Sequence, residues 1–114
     1  MDSSTTKDKL TDSLDAIESV LVADSHFTQA GYIARLRQLY RSVMQTDREE
    51  FQRLVTTDKY LWIGMGTIAD ICPSSKEAGQ RFARAYYDFA VECERLGLSS
   101  IYSKDLISIF GKWI

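Results

Sequence analysis

The sequence predicts an all-α fold, a compact single domain built as a bundle of four to six helices. Three observations carry that expectation. Apolar residues recur at spacings of three and four along most of the 114-residue chain. Two of those runs are preceded by Ser or Thr with Glu three residues later, the pattern of a capping box. No segment alternates apolar and polar residues between hairpin turns, as a half-buried strand does. The length suits one domain. Residues 1–6 are expected to be a loose N-terminus and residues 7–114 to form the domain.

The first helix is expected from Thr6 to about Ala23, with Leu10, Leu14, Ile17 and Leu21 as its buried stripe. Asp8, Asp12 and Asp15 fall on the far side and, with Glu18, make it acidic. The second should run from about Thr28 to Gln45, burying Ile33, Leu36, Tyr40, Val43 and Met44; its charges are Arg35, Arg37 and Arg41. An acidic and a basic helix in succession have two uses. They can pack antiparallel with complementary fields, or one face can meet a partner. Thr46 should open a third helix through the box "TDRE", Thr46 with Glu49, and Phe51, Leu54 and Val55 should line its inner edge.

"YLWIGMGTIAD", residues 60–70, breaks the pattern. A phosphate loop is excluded, because no Lys-Ser/Thr comes after the glycines and no strand precedes them. The stretch reads as a corner instead. Gly64 and Gly66 allow the chain to turn, Gly66 is the better candidate for positive φ, and Thr67 caps the next helix, with Asp70 three residues on. A rigid corner of this kind can present Trp62, Met65 and Asp70 to a partner.

After Pro73 the box "SSKE", Ser74 with Glu77, should start the longest helix, burying Ala78, Phe82, Ala85, Phe89, Cys93 and Leu96. Gly97 stands where a helix-ending glycine belongs, with Leu98 as the apolar contact that accompanies it. A last helix, from near Ser103, carries Leu106, Phe110 and Trp113. Phe82, Phe89, Leu14, Ile17, Leu36 and Val43 are expected to be buried together. Tyr87 and Val91 lie off the main stripe, bordered by Arg84 and Arg95. They either form a contact surface of the aromatic-plus-arginine kind or pack beneath Phe110 and Trp113.

The chemistry is sparse. A net charge of −2 and a pI near 5.3 argue against sequence-independent nucleic-acid binding, which needs clustered Lys and Arg. Cys72 and Cys93 lack CxxC spacing, and with one histidine, His26, they cannot complete a zinc site; both are expected as free thiols. The carboxylate pairs Asp12/Asp15 and Asp15/Glu18 come without an ExxH pattern. No catalytic group, metal or cofactor is therefore expected. The N-terminus has no basic and apolar leader regions, and no apolar run approaches the ~20 residues of a membrane span, so a cytoplasmic protein without membrane contact is expected.

The order of features, roughly from Ile17 to Leu98, resembles a group of small bacterial domains of unknown function. In that group an amphipathic helix, a turn and an apolar helix lead to a "GGMGS(x)ND" corner and a last long helix. Here "QTDREEFQRL" stands for the turn and third helix and "LWIGMGTIADI" for the corner. Ile63 replaces the first glycine, Thr67 the serine and Ala69 the asparagine. Members of the group look like immunity-type proteins of bacterial toxin systems. The resemblance implies a non-enzymatic inhibitor that binds a cognate protein toxin and occludes its active site. Asp8, Asp12, Asp15 and Glu18 would then face a basic toxin surface, with Trp62, Met65 and Asp70 as a second patch and Tyr87 as a third. The alternative is a helical structural or regulatory module acting as a homo-oligomer, such as a homodimer.

Overall fold

Asp8 starts the first helix. Its carboxylate accepts the Leu10 N–H at 2.9 Å, and α1 runs over Lys9–Ala23, later than the expected start at Thr6. The computed structural model describes residues 8–62, 66–112 and 114; the expected loose segment 1–6, Gly64, Met65 and Trp113 lie outside the described residues. α1 buries Leu10, Leu14, Ile17 and Leu21 completely. It ends by a six-to-one closure, the His26 N–H on the Leu21 carbonyl at 2.8 Å and the Ser25 N–H on that of Val22 at 3.0 Å. Ser25 holds the left-handed position this closure requires, with φ 64°.

α2, Phe27–Arg41, returns antiparallel along α1. Arg37 donates to Asp15 at 2.7 Å and also to Glu18, and Tyr40 donates to the second oxygen of Asp8. The opposite charges of the first two helices thus meet each other. The helix stops at Arg41, short of the expected Gln45. The Ser42 hydroxyl accepts the Met44 N–H at 3.0 Å and bonds Asp47 at 2.8 Å, turning the chain. Val43 and Met44 ride on that turn, 93% and 58% exposed, so neither is in the core expected for it. α3, Gln45–Thr57, begins one residue before Thr46, and the expected Thr46/Glu49 box does not form because Thr46 is already inside the helix. Phe51 and Val55 are buried and Leu54 is half-buried against them.

α4, Lys76–Arg95, is capped by Ser75, whose hydroxyl accepts the Ala78 N–H at 3.0 Å. The expected cap, Ser74, is drawn away instead: its hydroxyl bonds Asp24 at 2.6 Å. Phe82, Ala85, Phe89 and Cys93 are buried as expected, whereas Leu96 has left the helical stripe and is 42% exposed. The closing turn matches expectation. Gly97 has φ 78°, its N–H reaches the Glu94 carbonyl at 3.0 Å, and the Leu98 N–H reaches that of Cys93 at 2.8 Å. α5, Ile101–Phe110, starts earlier than expected, at a box formed by Ser100 with Ser103.

α1 packs against both α2 and α4, α3 lies on α2, and α5 lies on α4. The bond from Ser74, ahead of α4, to Asp24, behind α1, makes α1 and α4 antiparallel. Among the described residues the fold is five α-helices and two single-turn 3-10 helices, Lys59–Leu61 and Ile68–Asp70, with no strand. The radius of gyration, 13.6 Å, matches the roughly 13 Å of a close-packed chain this long.

Candidate functional site: the corner and the groove beside it

The corner is built from inside. α3 ends with the Asp58 N–H on the Leu54 carbonyl, which leaves the Val55 carbonyl among the open acceptors of the last turn. Trp62 supplies the donor, its indole N–H reaching the Val55 carbonyl at 2.9 Å. The indole stacks on Phe89 with centroids 5.1 Å apart and meets the Tyr86 ring edge-on at 6.2 Å. Tyr86 in turn donates its hydroxyl to the Leu61 carbonyl at 2.6 Å. Burial pushes the Tyr86 hydroxyl well above its ordinary pKa, so it stays a donor. Trp62 is fully buried and is not available to a partner, which corrects its expected role as a surface contact. An aromatic beside two glycines reads as exposed in the sequence; a hydrogen bond seven residues back along the chain explains why it is not.

Gly66 has φ 81°, as expected. Thr67 is extended and stands ahead of the turn Ile68–Asp70, although its side chain makes no capping hydrogen bond. Ile68 and Ala69 point inward, and Asp70 is exposed. Residues 71–75 then cross to α4. This crossing, the first turns of α4 and the end of α5 enclose an open groove of about 720 Å³. Its floor and walls include Ile71, Gly79, Phe82, Ala83 and Phe110. Asp70, Lys76, Gln80 and Arg84 supply polar and charged groups to the same lining. A second, more polar hollow of about 860 Å³ lies between α1 and α4 and shares Gln80 and Arg84 with the first.

Asp24 fixes the crossing to the α1–α2 turn. One oxygen takes the Ser74 hydroxyl, and the other lies 2.9 Å from His26 Nε2. The Ser74 hydroxyl holds the Asp24 carboxyl below its ordinary pKa, with His26 adding to the effect. The two thiols differ in character. Both are free; Cys72 is exposed on the crossing, and Cys93 is buried, which pushes its pKa far up and leaves it a protonated packing group.

The acidic face of α1 is largely turned to internal use. Asp8 caps α1 and accepts from Tyr40; Asp15 and Glu18 accept from Arg37. These three carboxylates are therefore engaged within the fold, and the Asp12 residue beside them is exposed. Tyr87 is half-buried and packed on the core, and a Cβ on Gly111 would stand 3.3 Å from its ring, so it lies beneath the end of α5. That is the packing alternative for Tyr87. Of the sequence candidates, the structure brings Asp70 to the groove. Gly79, Lys76, Gln80 and Arg84 were not singled out for it, although their spacing of four along one helix edge and a glycine inside a helix were legible signals.

No family model, curated protein or solved structure matches the chain.

Proposed function

We propose that this protein is an immunity-type inhibitor, a binding protein that neutralises a bacterial toxin by covering its active site and does no chemistry of its own. The observation that carries the reading is the open, mostly apolar groove beside the corner, whose lining also includes the charged Asp70, Lys76 and Arg84. A concave, mostly apolar surface with a few placed charges is the usual form of a binding site. It adjoins the "LWIGMGTIADI" stretch on which the resemblance to immunity-type domains rests. The acidic first helix is a weaker choice of interface, because Arg37 already compensates Asp15 and Glu18.

The test is co-expression with the toxins encoded beside this chain. Rescue of growth by the intact protein, together with a complex recovered from purified components, is the expected result. Failure to bind or rescue against every neighbouring candidate would remove the reading. A second reading, self-association as a structural module, is favoured by the exposed Val43, Met44, Leu96 and Ile101 at the end of the bundle where α2 and α4 finish. A mass measurement on the isolated protein separates the two: the inhibitor is a monomer until its toxin is added.

A further inference from the structure

The start of α4 offers two caps, and the fold uses the less complete one. Ser75 is extended, φ −116° and ψ 154°, and its hydroxyl accepts the Ala78 N–H at 3.0 Å. Ala78 has no side-chain acceptor to return to the Ser75 N–H, so this cap works in one direction only. One residue earlier the sequence holds a reciprocal box. With Ser74 as the cap, its hydroxyl accepts the Glu77 N–H and the Glu77 carboxylate accepts the Ser74 N–H. In the fold a single atom engages both of those Ser74 groups. Asp24 Oδ1 accepts the Ser74 hydroxyl at 2.6 Å and the Ser74 N–H at 3.3 Å. Asp24 therefore stands where Glu77 would stand in the box. Glu77 itself is exposed and, among the described residues, makes no hydrogen bond or ion pair.

We propose that residues 74–77 form a two-position switch at the head of α4, and that Asp24 selects the position. With Asp24 on Ser74, the helix begins after Ser75. With Asp24 withdrawn, Ser74 becomes the cap, Glu77 closes the box, and Ser75 joins the helix as its first residue. The two positions exclude each other, because Ser75 is extended in one and helical in the other. The observed position has the Ser75 cap and the two bonds to Asp24. The other has the two bonds of the box and the Ala78 N–H on the Ser74 carbonyl. Two bonds of the first set reach a carboxylate against one of the second, which favours the observed position; without Asp24 only the Ser75 cap is left on that side. Ser74 and Ser75 both line the groove, and the other oxygen of Asp24 lies 2.9 Å from His26 Nε2 at the start of α2. The switch thus couples the α1–α2 turn to the groove. Drawing Asp24 away at the turn resets the groove wall by one helical residue, about 1.5 Å of rise. It operates whether or not the groove holds a toxin.

Asp24→Ala in the full chain is the test. By NMR the Ser75 Cα chemical shift should move from an extended to a helical value. Exchange of the Glu77 amide should slow about tenfold, because that N–H gains the Ser74 hydroxyl. Thermal melts give an independent readout. Ser75→Ala should lower Tm by about 3–5 °C in the native chain, where Ser75 is the cap. In the Asp24→Ala chain the same change should lower Tm by less than about 1 °C, since Ser74 has taken over. If Asp24 is only a tie between two segments, Ser75 stays extended and the Ser75→Ala loss is the same in both backgrounds; either result would overturn the proposal. Should Asp24→Ala fail to fold, Ser75→Pro decides. Proline suits the first helical position, and its φ of about −65° does not suit the −116° of the Ser75 cap, so it places Ser74 in the cap. Glu77 exchange should slow in Ser75→Pro and return to the native rate when Ser74→Ala is added. Native-rate exchange in Ser75→Pro alone would also overturn the proposal.

Discussion

Replacing Trp62 by Phe keeps an aromatic ring against Phe89 and removes one hydrogen bond. In the native protein the indole N–H reaches the Val55 carbonyl at 2.9 Å in a fully buried setting. Without it that carbonyl has no donor from the corner, and an unpaired buried acceptor costs about 1–3 kcal/mol. The smaller ring also leaves a void beside Phe89 and Tyr86, adding about 1 kcal/mol at ~24 cal/mol per Å³. Together Trp62→Phe should destabilise by about 2–4 kcal/mol, a large part of the stability of a small domain. Urea and thermal melts read this directly, with a fall in Tm of about 3–5 °C per kcal/mol for a chain of this size. Tyr86→Phe removes the neighbouring bond to Leu61, so a double-mutant cycle with Trp62→Phe should show coupling between the two. A loss below about 0.5 kcal/mol for Trp62→Phe would refute the idea that the indole completes the end of α3.

Three further outcomes are expected. Ser25→Gly should stabilise by about 0.5–1 kcal/mol, because the left-handed φ of 64° strains serine and not glycine, and Gly66→Ala at φ 81° should destabilise by about 1 kcal/mol; chemical denaturation of both variants measures the contrast. Burial, aided by the bond to Asp8, raises the Tyr40 pKa from 10.0 to about 12. The folded state therefore holds that proton more tightly than the unfolded chain, and the stability linked to it is present below pH 10 and lost as pH rises toward 12; a pH series of melts should show a shallower alkaline decline in Tyr40→Phe. Arg37→Gln should cost about 0.5–1 kcal/mol at low ionic strength by leaving Asp15 and Glu18 uncompensated, an effect that shrinks when the melts are repeated in high salt.

What could be read along the chain is what forms within a few residues. The stripe Leu10, Leu14, Ile17 and Leu21 and the stripe Phe82, Ala85, Phe89 and Cys93 reflect a period of 3.6, and the structure buries both. Gly66 and Gly97 take the positive φ that their places after a turn and after a helix demand. Such effects need no knowledge of the rest of the molecule. Capping was less legible, because it is a competition. Ser74 and Ser75 can each cap α4, and Asp24, fifty residues away, decides by binding Ser74. Val43 continues the α2 stripe in sequence, yet the Ser42 turn carries it into solvent.

The surface was decided by long-range packing alone. An acidic α1 and a basic α2 could equally have offered two faces to partners; in the bundle Arg37 sits between Asp15 and Glu18, and much of the charge is satisfied internally. Trp62 could have been a contact residue, until the open carbonyl of α3 and the ring of Phe89 gave it a better place inside. The groove exists only because the crossing after Asp70, the start of α4 and the end of α5 converge from separate parts of the chain. Periodicity sets which side of a helix turns inward; which helices meet, and what opening they leave between them, is a property of the assembled core.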